Sequence, residues 1–175
     1  MAERIKVMLT EEEVDAKIRE IGEQISKDYE GKEVHLICVL KGGSFFMCEL
    51  AKRITVPVSF DFMSVSSYGA GTSSSGVIKI VKDLDDSIMG KDVIVVEDIV
   101  DTGLTMHGFI TYLKNAGANS VEVASFLFKP EALQYPDAAP KYIGMEIPTK
   151  FVLGYGLDYD EKGRNYPALY VLRGN

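Results

Sequence analysis

Residues 93–105, VIVVEDIVDTGLT, restrict the possible folds of this chain more than any other stretch. Val93, Ile94, Val95 and Val96 are consecutive β-branched side chains, the pattern of a central strand covered on both faces. Glu97 and Asp98 are expected to end that strand, and two adjacent acids there are poorly explained by packing. Asp101, Thr102, Gly103, Leu104 and Thr105 follow with hydroxyls, a flexible glycine and the free N–H groups of an opening helix. Those are the elements of a phosphate cradle. A lone Asp-Thr-Gly reads as a helix cap in which Asp101 or Thr102 satisfies the first turn. The acid pair in front of it turns the reading toward a ligand site.

The flanking sequence repeats the strand, turn and helix theme. Thr10 and Glu13 form a capping box, and Val14, Ile18, Ile21 and Ile25 recur at helical spacing, which predicts an amphipathic helix over 11–29. Residues 34–40 read as a buried strand, then the turn Lys41-Gly42-Gly43-Ser44 and an apolar helix through Ala51. A strand over 56–65 carries Val58, Phe60 and Phe62 on one face. Residues 66–76, SSYGAGTSSSG, hold little that anchors a chain and are expected to form a mobile loop, in which Tyr68 is an unusual residue to expose. Residues 77–81 return as its partner strand. A helix over 106–116 stops at Asn115-Ala116-Gly117-Ala118, and a strand follows over 120–128.

This alternation predicts an α/β fold: a central, mostly parallel, twisted sheet flanked by helices, with ligands beyond the carboxyl ends of the strands where strand order reverses. Residues 142–175 contain only short β-like runs, at 151–153 and 168–172, and are expected to form a small β-rich flap against the main sheet. At 175 residues and 46% hydrophobic content, one domain spanning 1–175 is expected.

A net charge of −7 argues against a broad nucleic-acid or anionic-membrane surface, leaving room for a local basic site. No apolar run approaches the roughly 18 to 20 residues needed to span a bilayer, so a cytoplasmic protein is expected. Cys38 and Cys48 sit in apolar sequence as packed, reduced thiols, and His35 and His107 lack the spacing of a zinc site. No G-x-G-x-x-G follows the first strand, and Lys41 lacks the glycine spacing of a P-loop, which sets aside dinucleotide-dependent oxidoreductases and P-loop phosphotransferases.

Taken in order, LKGG at 40–43, SYG at 67–69, VVEDIVDTGLT at 95–105, Lys129, and FVLGYGLDY at 151–159 with Arg164 beyond resemble the hypoxanthine-guanine, or 6-oxopurine, branch of the type I phosphoribosyltransferases. The resemblance runs nearly end to end. It implies the fold of that family and a reaction of 5-phospho-α-D-ribose 1-diphosphate with hypoxanthine or guanine, giving IMP or GMP and pyrophosphate, with Mg2+ as cofactor. It further implies a homodimer or homotetramer, with no nucleic acid or membrane among the partners. A regulator that binds the sugar diphosphate without catalysis is the alternative, and it usually carries a basic surface or an added DNA-binding segment.

The resemblance assigns roles residue by residue. Glu97 and Asp98 meet the ribose hydroxyls and share magnesium, and residues Asp101, Thr102, Gly103, Leu104 and Thr105 hold the 5′-phosphate. Asp101 faces the purine N7 and handles its proton. Lys41, Gly42, Arg164, Ser67 and Tyr68 serve the pyrophosphate, the last two from a closing loop. Lys129 meets the purine O6, Phe151 stacks on the base, the Val152 backbone reads its edge, and Ile99 and Leu157 line the slot. Asp158 joins the purine end as a direct or water-mediated ligand of a pyrophosphate-bound magnesium. Val100 is a conservative departure in the signature, and Asp160 and Glu161 read as solvated. An unusual cis peptide is implied at Lys41-Gly42. Without the resemblance, Lys129 reads as a solvated lysine at a strand end, and for Phe151, Val152, Ile99 and Leu157 a place in the core competes with the slot.

Overall fold

The computed structural model describes residues 4–67 and 78–173. Its first helix, α1 (Glu11–Asp28), starts where the sequence places it: the Glu13 N–H donates to Thr10 Oγ1 at 3.2 Å and the Thr10 N–H donates to the Glu13 carboxylate at 3.3 Å. Reciprocal capping satisfies two otherwise orphaned donors. Val14, Ile18, Ile21 and Ile25 form its buried stripe.

The main sheet has six strands. β2 (Val34–Val39), β3 (Val58–Ser67), β5 (Asp92–Val100), β6 (Ser120–Phe128) and β7 (Tyr142–Glu146) are parallel, and β4 (Ile78–Lys82) closes one edge antiparallel to β3. Spatial order is β4-β3-β2-β5-β6-β7. From β2 the chain passes through α2 (Ser44–Ala51) to β3 on one side, and from β5 through α3 (Leu104–Asn115) to β6 on the other. The crevice between the carboxyl ends of β2 and β5 is therefore the switch point of the sheet.

Both sheet faces are buried, as the β-branched run demands. Ile94 and Val96 face α1 and α2 with Leu36, Ile18 and Phe46, while Val93 and Val95 face α3 with Ile37, Phe109 and Leu113. All four residues of the run have no solvent exposure.

Four features depart from the sequence reading. β5 does not stop at Val96: Glu97, Ile99 and Val100 continue in register with Ser125, Leu127 and Phe128 of β6. Its other neighbour, β2, pairs only as far as Val96, so the last residues of β5 are bonded on one edge and open on the other. Residues 142–146 belong to the main sheet rather than to the flap, because Tyr142 pairs with Ala124, is wholly buried, and donates its hydroxyl to Asp28 at 2.7 Å. The flap is a three-stranded antiparallel sheet, β1-β9-β8, in which β1 (Ile5–Leu9) joins β8 (Val152–Leu153) and β9 (Leu169–Leu172). The cis peptide is Leu40-Lys41, one bond earlier than implied. The expected loop over 66–76 lies, from Tyr68 onward, outside the described residues.

Candidate active site

Two turns meet at the switch point. The first, Lys41-Gly42-Gly43, follows β2 and presses against the open edge of β5. A Cβ on Gly42 would collide with the Asp98 carboxylate, and one on Gly43 would lie 2.9 Å from the Val96 carbonyl oxygen. Glycine at both positions lets a turn lie flat on the acid pair. Above it, Gly156 packs so closely that a Cβ would strike the Gly42 carbonyl oxygen, which brings the loop after β8 over the same spot.

Glu97 and Asp98 each fold back on the backbone: the Asp98 N–H donates to Glu97 Oε1 at 3.0 Å and the Ile99 N–H donates to Asp98 Oδ1 at 2.7 Å. Burial raises the Glu97 carboxyl well above the ordinary range, and the neighbouring Asp98 charge pushes it further. Lys41, Lys129 and Arg164 are engaged with other acids, so among the described residues no cation lies within ion-pair distance of either carboxylate.

The second turn follows β5. Residues 97–106 line a cavity of about 240 Å³. Gly103 adopts φ 86°, a left-handed conformation that glycine takes without a steric cost, and opens α3. Thr102 Oγ1 accepts weakly from the Leu104 N–H at 3.3 Å, but the N-cap is Gly103 and no side chain caps α3, so neither Asp101 nor Thr102 takes the capping role. Among the described residues the N–H groups of Asp101, Thr102, Gly103 and Thr105 have no protein acceptor. Unpaired donors at a helix N-terminus suit a dianion.

The turn is braced from behind by the segment between β6 and β7. The Gln134 N–H donates to the Thr102 carbonyl oxygen at 2.8 Å, and Leu133, Tyr135 and Ala138 pack under Gly103. His107 stacks on Tyr135 with centroids 5.0 Å apart, and its Nδ1 lies 2.7 Å from Asp137. The same segment begins at Lys129, whose side chain is only 11% exposed and whose Nζ lies 3.4 Å from Asp101 Oδ2. Asp101 itself is half-exposed and open to a ligand.

The flap side contributes Phe151, half-exposed, with its edge toward Tyr159 at a centroid distance of 5.7 Å. Val152 is buried, and Ile99 and Leu157 pack against the first core, so these three are core residues as well as candidates for the slot. Arg164 donates to the Gly156 carbonyl oxygen at 2.7 Å and lies 3.4 Å from Asp158. Asp158 also accepts from the Glu161 N–H at 2.8 Å. Ser67 ends β3 opposite Ile78, while Tyr68 falls outside the described residues.

With this geometry in view, the phosphoribosyl transferase domain family matches residues 8–160. The chain belongs to that family. Hypoxanthine-guanine phosphoribosyltransferase of Streptococcus thermophilus is 46% identical over 168 residues, covering 96% of this chain and 93% of that protein. The Mycobacterium tuberculosis protein of the same name is 48% identical over 172 residues, covering 95% and 85%. A crystal structure of hypoxanthine phosphoribosyltransferase from Staphylococcus aureus superposes with a TM-score of 0.91 at 45% identity, over 96% of this chain and 91% of that one. The type I phosphoribosyltransferase fold expected from the motifs is thus the fold observed, and the chain is a transferase.

A phosphoribosyl transferase fits a divalent metal requirement in general, and the donor set here is compatible with one. Glu97 and Asp98 form an uncompensated acid pair, and no group of three or more ligating side chains forms a closed cage among the described residues. Magnesium ordinarily takes one or two carboxylates and completes its shell with substrate phosphates and water. Glu161, read from the sequence as solvated, lies 3.1 Å from Lys41 Nζ and 3.5 Å from Arg164 Nη2. No helix of the described residues is long and apolar enough to cross a membrane.

Proposed function

We propose that the chain transfers the 5-phosphoribosyl group from 5-phospho-α-D-ribose 1-diphosphate to hypoxanthine or guanine, with Mg2+, forming IMP or GMP and pyrophosphate in purine salvage. The observation that carries this reading is the Asp101–Lys129 pair, an acid and a desolvated ammonium 3.4 Å apart beside an anion cradle. A 6-oxopurine offers matching groups in that spacing: an N7 for the acid and an O6 acceptor for the ammonium. Adenine would set an amino donor against the ammonium, a mismatch that leaves both unpaired.

The cradle at 101–105 holds the 5′-phosphate and fixes the sugar. Glu97 and Asp98 accept from the ribose 2′- and 3′-hydroxyls, which orients C1′ toward the base. As the C1′–O bond to pyrophosphate breaks and the C1′–N9 bond forms, positive charge grows on the sugar and the purine must shed a proton. Asp101 takes up or shares that proton at N7. The Lys41-Gly42 backbone and Arg164 meet the charge that develops on the departing pyrophosphate. Glu97 and Asp98 at the sugar, and Asp158 directly or through water at the pyrophosphate, would hold magnesium, which would supply further positive charge to the sugar and diphosphate oxygens. Phe151 covers the base, aided by Val152, Ile99 and Leu157.

Cys38 is a buried free thiol, whereas Cys48, expected to be packed, is an exposed one on α2; both fit a reducing, cytoplasmic setting, and exposed Phe45 and Phe60 support a homodimer or homotetramer. The test is direct. Purified protein with magnesium, sugar diphosphate and each of hypoxanthine, guanine, xanthine and adenine is monitored for nucleotide. Formation of IMP or GMP is expected; retained sugar-diphosphate binding without turnover would restore the regulator reading.

A further inference from the structure

The loop after β8 ends in a two-residue hairpin turn that aims a carboxylate at the pyrophosphate end of the site. Asp160 and Glu161 have φ values of 53° and 62°, and Tyr159 and Lys162 close the turn with reciprocal backbone bonds of 2.8 and 3.1 Å. Left-handed conformation at both central residues is the type I′ pattern, which favours Asn-Gly or Asp-Gly. Glutamate at the second position is a steric outlier for which backbone preference gives no reason. Its contacts supply one. Glu161 Oε2 lies 3.1 Å from Lys41 Nζ and Oε1 lies 3.5 Å from Arg164 Nη2, so one carboxylate spans both cations. The Glu161 N–H donates to Asp158 Oδ2, which fixes the turn relative to Arg164 and its bond to the Gly156 carbonyl oxygen.

Stability is a poor explanation for this arrangement. The Lys41 and Glu161 side chains are 71% and 66% exposed, and ion pairs of that kind contribute little to folding. A carboxylate does, however, use the same N–H donors as a phosphate oxygen. We propose that Glu161 is an internal surrogate for the diphosphate: it pairs with Lys41 and Arg164 and must swing aside when a diphosphate group binds. The proposal rests on the reading of Arg164 and the Lys41-Gly42 turn as pyrophosphate contacts, and it adds the Lys41 ammonium to the backbone role already given to that turn. Its consequence is a lowered apparent affinity for diphosphate, because only the fraction of molecules with Glu161 displaced is competent to bind. Product release benefits from the same competition, since the carboxylate returns to the cations as pyrophosphate leaves.

Inorganic pyrophosphate is the probe, titrated calorimetrically into full-length wild type, Glu161→Gln and Glu161→Gly with a chelator present to remove metal. Both variants are expected to bind about two- to tenfold tighter, the size of one or two exposed ion pairs removed from competition. The gain should shrink with added salt. Glu161→Gly should also melt higher, because glycine relieves the turn, whereas Glu161→Gln keeps the backbone demand and isolates the charge. Unchanged or weaker binding by Glu161→Gln overturns the proposal. Absence of pyrophosphate binding by every form overturns it too, by removing the cationic subsite, while nucleotide formation in the purine assay would still uphold the reaction.

Discussion

Lys129→Gln tests the purine end of the site, and its expected cost can be worked from the surroundings of the ammonium. The side chain is 11% exposed, so a hydrogen bond from Nζ to a purine O6 forms in a largely desolvated place. Hydrogen bonds from charged donors contribute about 1.5–3 kcal/mol. At a factor of ten per roughly 1.36 kcal/mol, kcat/KM for hypoxanthine and guanine should fall about 10- to 150-fold. Glutamine nearly preserves the volume, so packing loss adds little. The ion pair to Asp101 adds little as well, since Asp101 is 51% exposed and such a pair is worth under about 1 kcal/mol. Melting should therefore drop by no more than about 4 °C for a chain of this size. Adenine responds in the opposite sense, because the glutamine carbonyl can accept from its amino group. Steady-state kinetics with the purines measures all of this. An unchanged hypoxanthine-to-adenine ratio, with the protein folded, would refute the O6 contact.

Asp101→Asn removes the group assigned to N7 and should lower kcat by about 10²–10⁴ while leaving sugar-diphosphate binding close to wild type, as read by single-turnover kinetics and calorimetry. Glu97→Gln should stabilise the fold increasingly as pH rises. The raised carboxyl of Glu97 means the native state binds the extra proton, so wild-type stability is full below the ordinary glutamate value and declines as pH climbs toward the raised one. Urea titrations across that window would show a growing difference between the two proteins; a constant difference would contradict the burial argument. Gly103→Ala places a Cβ 2.8 Å from Ala138 Cβ and 3.0 Å from Leu133 Cδ1 at φ 86°. Left-handed backbone costs about 1–2 kcal/mol and overpacking about 1–3 more, which together should lower Tm by about 4–20 °C.

Local signals were readable wherever a few neighbouring residues decide the outcome. The capping box and apolar stripe of α1, the doubly buried run at Val93 to Val96, and β6 (Ser120–Phe128) all follow from short-range pattern. The end of β5 does not, because whether Glu97 and Asp98 lie in a strand depends on where β2 stops, not on the acids themselves. β1 was invisible for a related reason: Ile5 pairs with Leu172, at the far end of the chain. Tyr142–Glu146 carries Gly144, a weak strand residue in isolation, yet a Cβ there would meet the Phe126 carbonyl oxygen at 2.5 Å, so close strand packing requires it. At the site, motif order located the acid pair, the cradle and Lys129, whereas the role of Glu161 rests on Lys41, 120 positions earlier. The His107–Asp137 pair under the phosphate turn is likewise a product of tertiary placement.

The distribution of charge around the site governs how it should take up metal. Among the described residues, Lys129 is matched by Asp101, and Arg164 by Asp158 and Glu161, which also holds Lys41. Glu97 and Asp98 have no such partner, and burial, with the neighbouring Asp98 charge added to it, raises the Glu97 carboxyl. Two adjacent carboxylates attract a divalent cation but do not make a closed site, since Mg2+ needs six oxygens in near-ideal geometry. The sugar diphosphate would supply the missing oxygens. Mg2+ alone should therefore bind weakly, and its affinity should rise when sugar diphosphate is present. By linkage, sugar-diphosphate affinity must rise by the same factor when Mg2+ is present. Calorimetry in both orders of addition checks the symmetry. Tight Mg2+ binding to the free protein, abolished by Asp98→Asn, would refute the argument by revealing a preformed cage that the described side chains do not provide.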